Sequence, residues 1–330
     1  MKRPHAVLFL IIFLFAATTA WSQSVSTRQM RLTYVATIDL PEADTVRIWI
    51  PLPRSSRHQT ISNVEVEPDL SWQTLTEQSY GNSYLYNELE SIEPTSLEVR
   101  VSYDVSRRIA LFDRLRPQRV GQDERRRNLM PDKLVTISPR IDAIGKKITE
   151  EADHTIEEAR AIYDYVLETM TYDKSKPGWG RGDTERACDV RSGNCTDFHS
   201  LFISLARSRE IPSRFVMGVP VPAAASGTID GYHCWAEFYL DSKGWVPVDI
   251  SEAWKSEDPA VHNFLFGNLD FDRVMFTMGR DLVLENQEGP PLNYFIYPYV
   301  EVDGAPWAGT SMQVEYRTPP RKKLEKKEPQ

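Results

Sequence analysis

The stretch Arg191–Phe202, RSGNCTDFHSLF, decides how this chain is read. It sets Cys195 directly after Gly193 and Asn194 and directly before an apolar stripe. Phe198, Leu201, Phe202, Leu205 and Ala206 recur at helical spacing. Asn194 is a good N-cap, and Asp197 falls in the first turn. The pattern predicts a helix that opens at Cys195 and ends before Ile211–Pro212. A helix start offers unpaired N–H groups and partial positive charge, and both favour thiolate over thiol. The placement suits a nucleophile, although buried cysteines also occur at helix starts for packing alone.

A nucleophilic thiol needs a base, and the base needs a group that orients it. Two segments downstream, GYHCWAEFYL (231–240) and GWVPVDIS (244–251), supply candidates: His233 as base and Asp249 as orienting acid. Both segments read as strands joined by a hairpin through Asp241–Gly244. His233 and Asp249 share a sheet face only with an odd-length loop or a bulge, since a slip of one residue reverses the face. The expectation is a loop of Asp241 to Lys243, with Asp249 opposite Trp235 and diagonal to His233. His199, four residues after Cys195, is a rival base on the same helix face, but a helix neighbour is poorly aimed at the thiol and is expected to orient its surroundings.

Together GNCTDFHSLFISLARSREIPSRFVMG (193–218), GYHCWAEFY and GWVPVDIS resemble the transglutaminase-like superfamily, across roughly residues 140–255. The resemblance implies a papain-like α+β core with a Cys-His-Asp triad, here Cys195, His233 and Asp249. It implies acyl transfer through a thioester, by a cysteine peptidase, amide hydrolase or transamidase. The substrate would be a protein, peptide or peptidoglycan-type amide. The family also holds members that have lost activity, so a non-catalytic binding or scaffold protein is the alternative. An oxyanion would need donors. The Cys195 backbone N–H is one candidate, and the indole N–H of Trp179, in the Gly-rich loop KPGWGRGD (176–183), is another.

The remaining cysteines bear on this reading. The count of three, Cys188, Cys195 and Cys234, is odd. A Cys188–Cys234 disulfide would leave Cys195 free; otherwise the two behave as small buried hydrophobes. Cys188, Cys195, His199, His233 and Cys234 are also residue types that zinc takes. No Cys-x-x-Cys pair is present, however, and neighbours such as His233 and Cys234 alternate faces along a strand. No metal or cofactor is expected.

Around this core the composition is ordinary: 41% hydrophobic and 26% charged, with a net charge of -8 over 330 residues. The acidic balance without a basic stripe excludes nucleic acid as an expected partner. Lys2 and Arg3, the apolar run Ala6–Ala17 and the small residues Thr18–Ala20 read as a signal peptide over 1–22. The run is too short for a typical membrane span of about 20 residues. The expectation is an exported protein, periplasmic or extracellular, with no integral span once the signal is removed.

Residues 23–112 read as an antiparallel β-sandwich-like domain. Met30, Leu32, Tyr34, Ala36, Ile38 and Leu40 alternate with mostly polar neighbours, as do Val46, Ile48 and Ile50, and Val99, Val101, Tyr103 and Val105. Residues 113–139 are charged and read as a linker. Residues 140–255 form the core, 256–318 a C-terminal β extension packed on it, and 319–330 a charged, disordered tail. Tyr232, Trp235, Trp254 and Trp307 are aromatic candidates for a groove or for the interior. The fold class is therefore α+β: a β-sandwich-like domain, a transglutaminase-like core and a C-terminal β extension.

Overall fold

Period-two burial builds the N-terminal sheets in the computed structural model, which describes residues 27–318. The signal-like segment 1–22 and the tail 319–330 lie outside these residues. The strands are β1 (Thr27–Leu40), β2 (Ala43–Leu52), β3 (Gln59–Glu67), β4 (Gln73–Thr76), β5 (Ser83–Ile92) and β6 (Thr95–Arg108). Met30, Leu32, Tyr34, Ala36, Ile38 and Leu40 of β1 face inward and are buried, opposite Val99, Val101, Tyr103 and Val105 of β6. β2 is buried on both faces from Ile48 to Leu52. Trp49 points away from the sandwich interior yet is buried, packed against Tyr86 and Tyr299, with its indole N–H donating to the Glu285 carbonyl at 2.9 Å.

The core then forms in chain order. It comprises α1 (Gln122–Arg127), α2 (Pro139–Ile148), α3 (Thr155–Thr169), β7 (Thr171–Tyr172), α4 (Thr184–Val190), β8 (Ser192–Gly193) and α5 (Cys195–Ser208). There follow β9 (Ser213–Pro220), β10 (Ser226–Ile229), β11 (His233–Leu240), β12 (Gly244–Val248), α6 (Ile250–Trp254), α7 (Pro259–Phe264) and β13 (Arg273–Met278). An antiparallel sheet of order β12-β11-β9-β13 lies against α5, which α2, α3, α4 and α6 surround on its other sides. Every residue of α5 from Cys195 to Arg207 is buried. A helix enclosed on all sides is a central element, and its polar residues must find partners there.

Those partners come partly from the segment read as a linker. Arg207 donates to the Met130 carbonyl at 2.7 Å and to Asp132 at 2.8 Å, and Ser204 donates to the Thr136 carbonyl. Leu115 and Val135 are buried in the main apolar cluster. Residues 113–139 thus cover α5 rather than acting as a linker: Asp132 and Glu124 pair with Arg207 and Arg214, while most of the other charges of the run stay exposed.

The C-terminal segment departs further from the expected extension on the core. Its β13 becomes the edge strand of the core sheet, while β14 (Tyr299–Val302), β15 (Ala305–Pro306) and β16 (Thr310–Arg317) enter the sandwich. The sandwich sheets run β10-β16-β1-β6-β3 and β15-β14-β2-β5-β4. Arg31 pairs with Arg317 and Ile38 with Thr310, so β16 completes the sheet begun by β1. β10 leaves the core to pair with β16. Both sandwich and core residues belong to one continuous apolar cluster.

Candidate active site

Cys195 owes its position to the capping of α5. The Asn194 side chain accepts from Thr196 N–H at 2.9 Å, and the Asp197 carboxylate accepts from Asn194 N–H at 2.9 Å. The first turn is thereby closed reciprocally, with Cys195 as first helical residue and 2% exposed. Asp197 does more than cap. It also accepts from Gly180 N–H at 2.7 Å and Gly182 N–H at 3.1 Å, latching the Gly-rich loop onto the helix start. The approach needs Gly193, where a Cβ would sit 2.1 Å from an Asp197 oxygen. Asp197→Ala leaves three buried N–H donors without their carboxylate. An expected loss of about 2–4 kcal/mol follows, readable by chemical denaturation.

The hairpin register meets the odd-loop condition. Leu240 pairs with Gly244 and Ala236 with Val248, so Asp241 to Lys243 form the loop. Asp249 follows β12 as the N-cap of α6 and accepts from Glu252 N–H at 3.2 Å. His233 opens β11, and its Nε2 lies 2.7 Å from Asp249 Oδ2. That contact leaves the other ring nitrogen for Cys195, whose sulfur interacts with both His233 and Cys234.

The electrostatics favour a thiolate–imidazolium pair. Cys234, which shares a hydrogen bond with Cys195, and the adjacent His233 hold the Cys195 thiol well below the ordinary cysteine range, against the opposing effect of burial. Burial alone would lower His233, yet the Asp249 charge and hydrogen bond, with Cys195, push it up to about 9. Burial would raise Asp249, but His233 and Arg273 hold it below the usual carboxylate range. Arg273 Nε donates to Asp249 Oδ2 at 3.1 Å. With Cys195 as thiolate and His233 protonated, Cys195, His233, Asp249 and Arg273 form a buried row of alternating charge. Pairing of this kind makes burial of each charge tolerable.

His199 is engaged elsewhere. Its Nε2 accepts from Ile250 N–H at 3.0 Å, and its Nδ1 lies 3.8 Å from Cys234 Sγ. Burial pushes it down to about 4, so it stays neutral. Its work is to hold the start of α6, and with it Asp249. Cys234 is pushed well above the cysteine range by burial and by its hydrogen bond to Cys195. It remains a thiol and acts as a donor toward the neighbouring sulfur. The Tyr232 hydroxyl lies 3.0 Å from both Asn194 Nδ2 and Thr196 Oγ1, fastening the approach to β11 onto the start of α5.

Several expectations need correction. Cys188 and Cys234 are unpaired, as is Cys195. Cys234 is committed to the Cys195 neighbourhood, whereas Cys188 is buried on α4. His233 and Cys234 do not serve separate surroundings as strand alternation implied, because His233 is the first strand residue and both reach the sulfur at the sheet end. Trp179 is 40% exposed, with the Lys174 ammonium 5.3 Å from its ring, and no contact ties its indole N–H to Cys195. Of the other aromatics, Tyr232 borders the site and Trp254 stacks on Tyr172. Trp235 turns to the sheet face away from α5, and Trp307 bonds the Asp39 carbonyl on the sandwich. Arg273 carried no signal that sequence reasoning could assign to the site, and Cys234 was singled out only as a disulfide or zinc candidate.

Comparison with known proteins follows the same lines. Residues 142–250 match the model of the transglutaminase-like superfamily. An uncharacterised protein of Haemophilus influenzae is 28% identical over 314 residues, covering 83% of this chain and 85% of that one. The uncharacterised protein YebA of Bacillus subtilis is 26% identical over 140 residues, covering 38% of this chain and 19% of that protein. Among solved structures, one from Cytophaga hutchinsonii, described as a candidate cysteine protease, superposes with a TM-score of 0.62. It is 16% identical and covers 90% of this chain and 92% of its own, a likeness of fold.

Proposed function

We propose, from the match of residues 142–250 to the model of the transglutaminase-like superfamily, that this protein is an exported cysteine-dependent amide hydrolase or acyl transferase. The observation that carries the reading is the buried row Cys195–His233–Asp249, with the 2.7 Å His233–Asp249 contact at its centre. In the proposed reaction the Cys195 thiolate attacks the carbonyl carbon of a peptide or carboxamide. His233 protonates the departing amine or ammonia as the C–N bond breaks, leaving a thioester on Cys195. His233 then accepts a proton from water or a second amine, which attacks the thioester and restores the thiolate. Asp249 keeps the ring oriented and favours its protonated form. The Cys195 N–H, one of the unpaired donors of the helix start, is suited to the developing oxyanion.

The substrate class is a protein, peptide or peptidoglycan-type amide, and the signal-like N-terminus supports a periplasmic or extracellular location. The test is incubation with a peptide library and a labelled amine, comparing the wild type with Cys195→Ala. Cleavage or amine incorporation is expected from the wild type alone; product from both would end the reading. A pH profile gives a second check. His233 must carry a proton to release the amine, so turnover is expected to fall as pH rises through about 9. On the acid side it falls only where the Cys195 thiolate is protonated, well below the ordinary cysteine range. A single acid limb near the ordinary cysteine value, with activity rising above it, would contradict the ion pair.

A further inference from the structure

On the sheet face away from α5, a cavity of about 720 Å³ opens between the core sheet, the loop after β2, the end of β6 and α1. It touches none of Cys195, His233 and Asp249. Its lining includes five arginines, Arg54, Arg57, Arg107, Arg127 and Arg214, against two glutamates, Glu124 and Glu237. Both glutamates pair with Arg214, at 3.4 Å and 2.6 Å. Arg54, Arg107 and Arg127 pair with no carboxylate among the described residues. Arg107 is 4% exposed, and its Nε has no hydrogen-bond partner. Two more lining groups are buried and unpartnered: the indole nitrogen of Trp235 and the side-chain oxygen of Asn128.

A buried cation without a counter-charge is costly, and so is a buried N–H without an acceptor. Two orphaned N–H donors around one cavity, Arg107 Nε and the Trp235 indole, are hard to explain as packing, whereas the Asn128 oxygen calls for a donor. Its volume lies in the range of small-molecule sites, and it sits at a junction of two modules, where such sites are common. The polar demand is for negative charge and acceptors from Arg54, Arg107 and the Trp235 N–H. Trp235, Trp245, Met275 and Leu269 give the same space apolar walls. We propose that this cavity is a second binding site, which takes a small organic anion: an acidic head on Arg107 and Arg54, and an apolar body against Trp235 and Trp245. The head is a carboxylate or a phosphate, both of which meet a guanidinium with paired acceptors.

The test uses anilinonaphthalene sulfonate as an aromatic anion, with citrate and inorganic pyrophosphate as competitors. The wild type is expected to bind the dye saturably at one site per chain. Displacement by citrate would identify a carboxylate site and displacement by pyrophosphate a phosphate site. Arg107→Met and Arg54→Met are each expected to weaken dye binding by about tenfold or more. Removing an unpaired buried charge should also leave the melting temperature of Arg107→Met unchanged or raised. Three results would overturn the proposal: no saturable binding by the wild type, dye displaced by neither competitor, or binding undiminished in both variants. A less stable Arg107→Met that still binds the dye would likewise assign the arginine to structure alone. Cys195→Ala should bind as the wild type does, which separates this site from the proposed chemistry.

Discussion

Cys195→Ser is expected to lower amide turnover by roughly 10⁴-fold or more while the protein stays folded. In the proposed mechanism the sulfur starts ionised, in a resting pair with His233, whereas a serine hydroxyl titrates far higher and would have to be deprotonated in each turnover. His233→Ala should be nearly as damaging, since the same ring stabilises the thiolate and protonates the leaving amine. The two variants are also separable without a substrate. Wild-type Cys195 should react with iodoacetamide at pH 6.5, and His233→Ala should react about 10²-fold more slowly as the thiol returns toward its ordinary range. The modified residue must be mapped by mass spectrometry, because Cys234 stands beside it. Equal labelling of Cys195 in both proteins would remove the ion pair from the mechanism.

The second large effect concerns the helix that carries the thiol. Phe202 is fully buried on α5, and its ring centroid lies 6.2 Å from that of Phe238 on β11. Phe202→Ala opens a void between the helix and the sheet whose ends hold Cys195 and His233. The expected cost is about 3–5 kcal/mol, read as a shift of the denaturation midpoint. Turnover should fall by more than the loss of folded protein explains, because the void lies between the two elements that must hold sulfur and imidazole in register. Loss of stability with full activity per folded molecule would show that the two are aligned mainly by their own end contacts, such as the Tyr232 hydroxyl.

The sequence was most informative where burial is one-sided or where a cap fixes a boundary. The inward face of β1 could be listed residue by residue because its outer face meets water. The start of α5 followed from Asn194 and Asp197, and the hairpin register from a parity condition on His233 and Asp249. Reading failed where partners are remote or where charge is buried. Nothing local in Thr310–Arg317 indicates that it pairs with β1, and Arg273 gives no sign that it will meet Asp249. The charged run 113–139 read as a linker because the groups that tie it down, Arg207 for Asp132 and Arg214 for Glu124, lie far along the chain. Cys234 was misjudged because face alternation says nothing about a sulfur placed at the very end of a sheet.

The interlocked sheets carry a consequence for how the molecule is made. A growing chain that has reached residue 255 already contains Cys195, His233 and Asp249, yet it lacks β13 and the Arg273 guanidinium that β13 brings to Asp249. It also lacks β16, whose pairing with β1 joins the two extremes of the described chain. Such non-local pairing forms late, since the loop must close before the contacts reward it. The orienting acid therefore lacks the Arg273 guanidinium until residue 273 has been made and β13 has docked. A chain clipped before Arg273 would carry the thiol, His233 and Asp249 without that guanidinium.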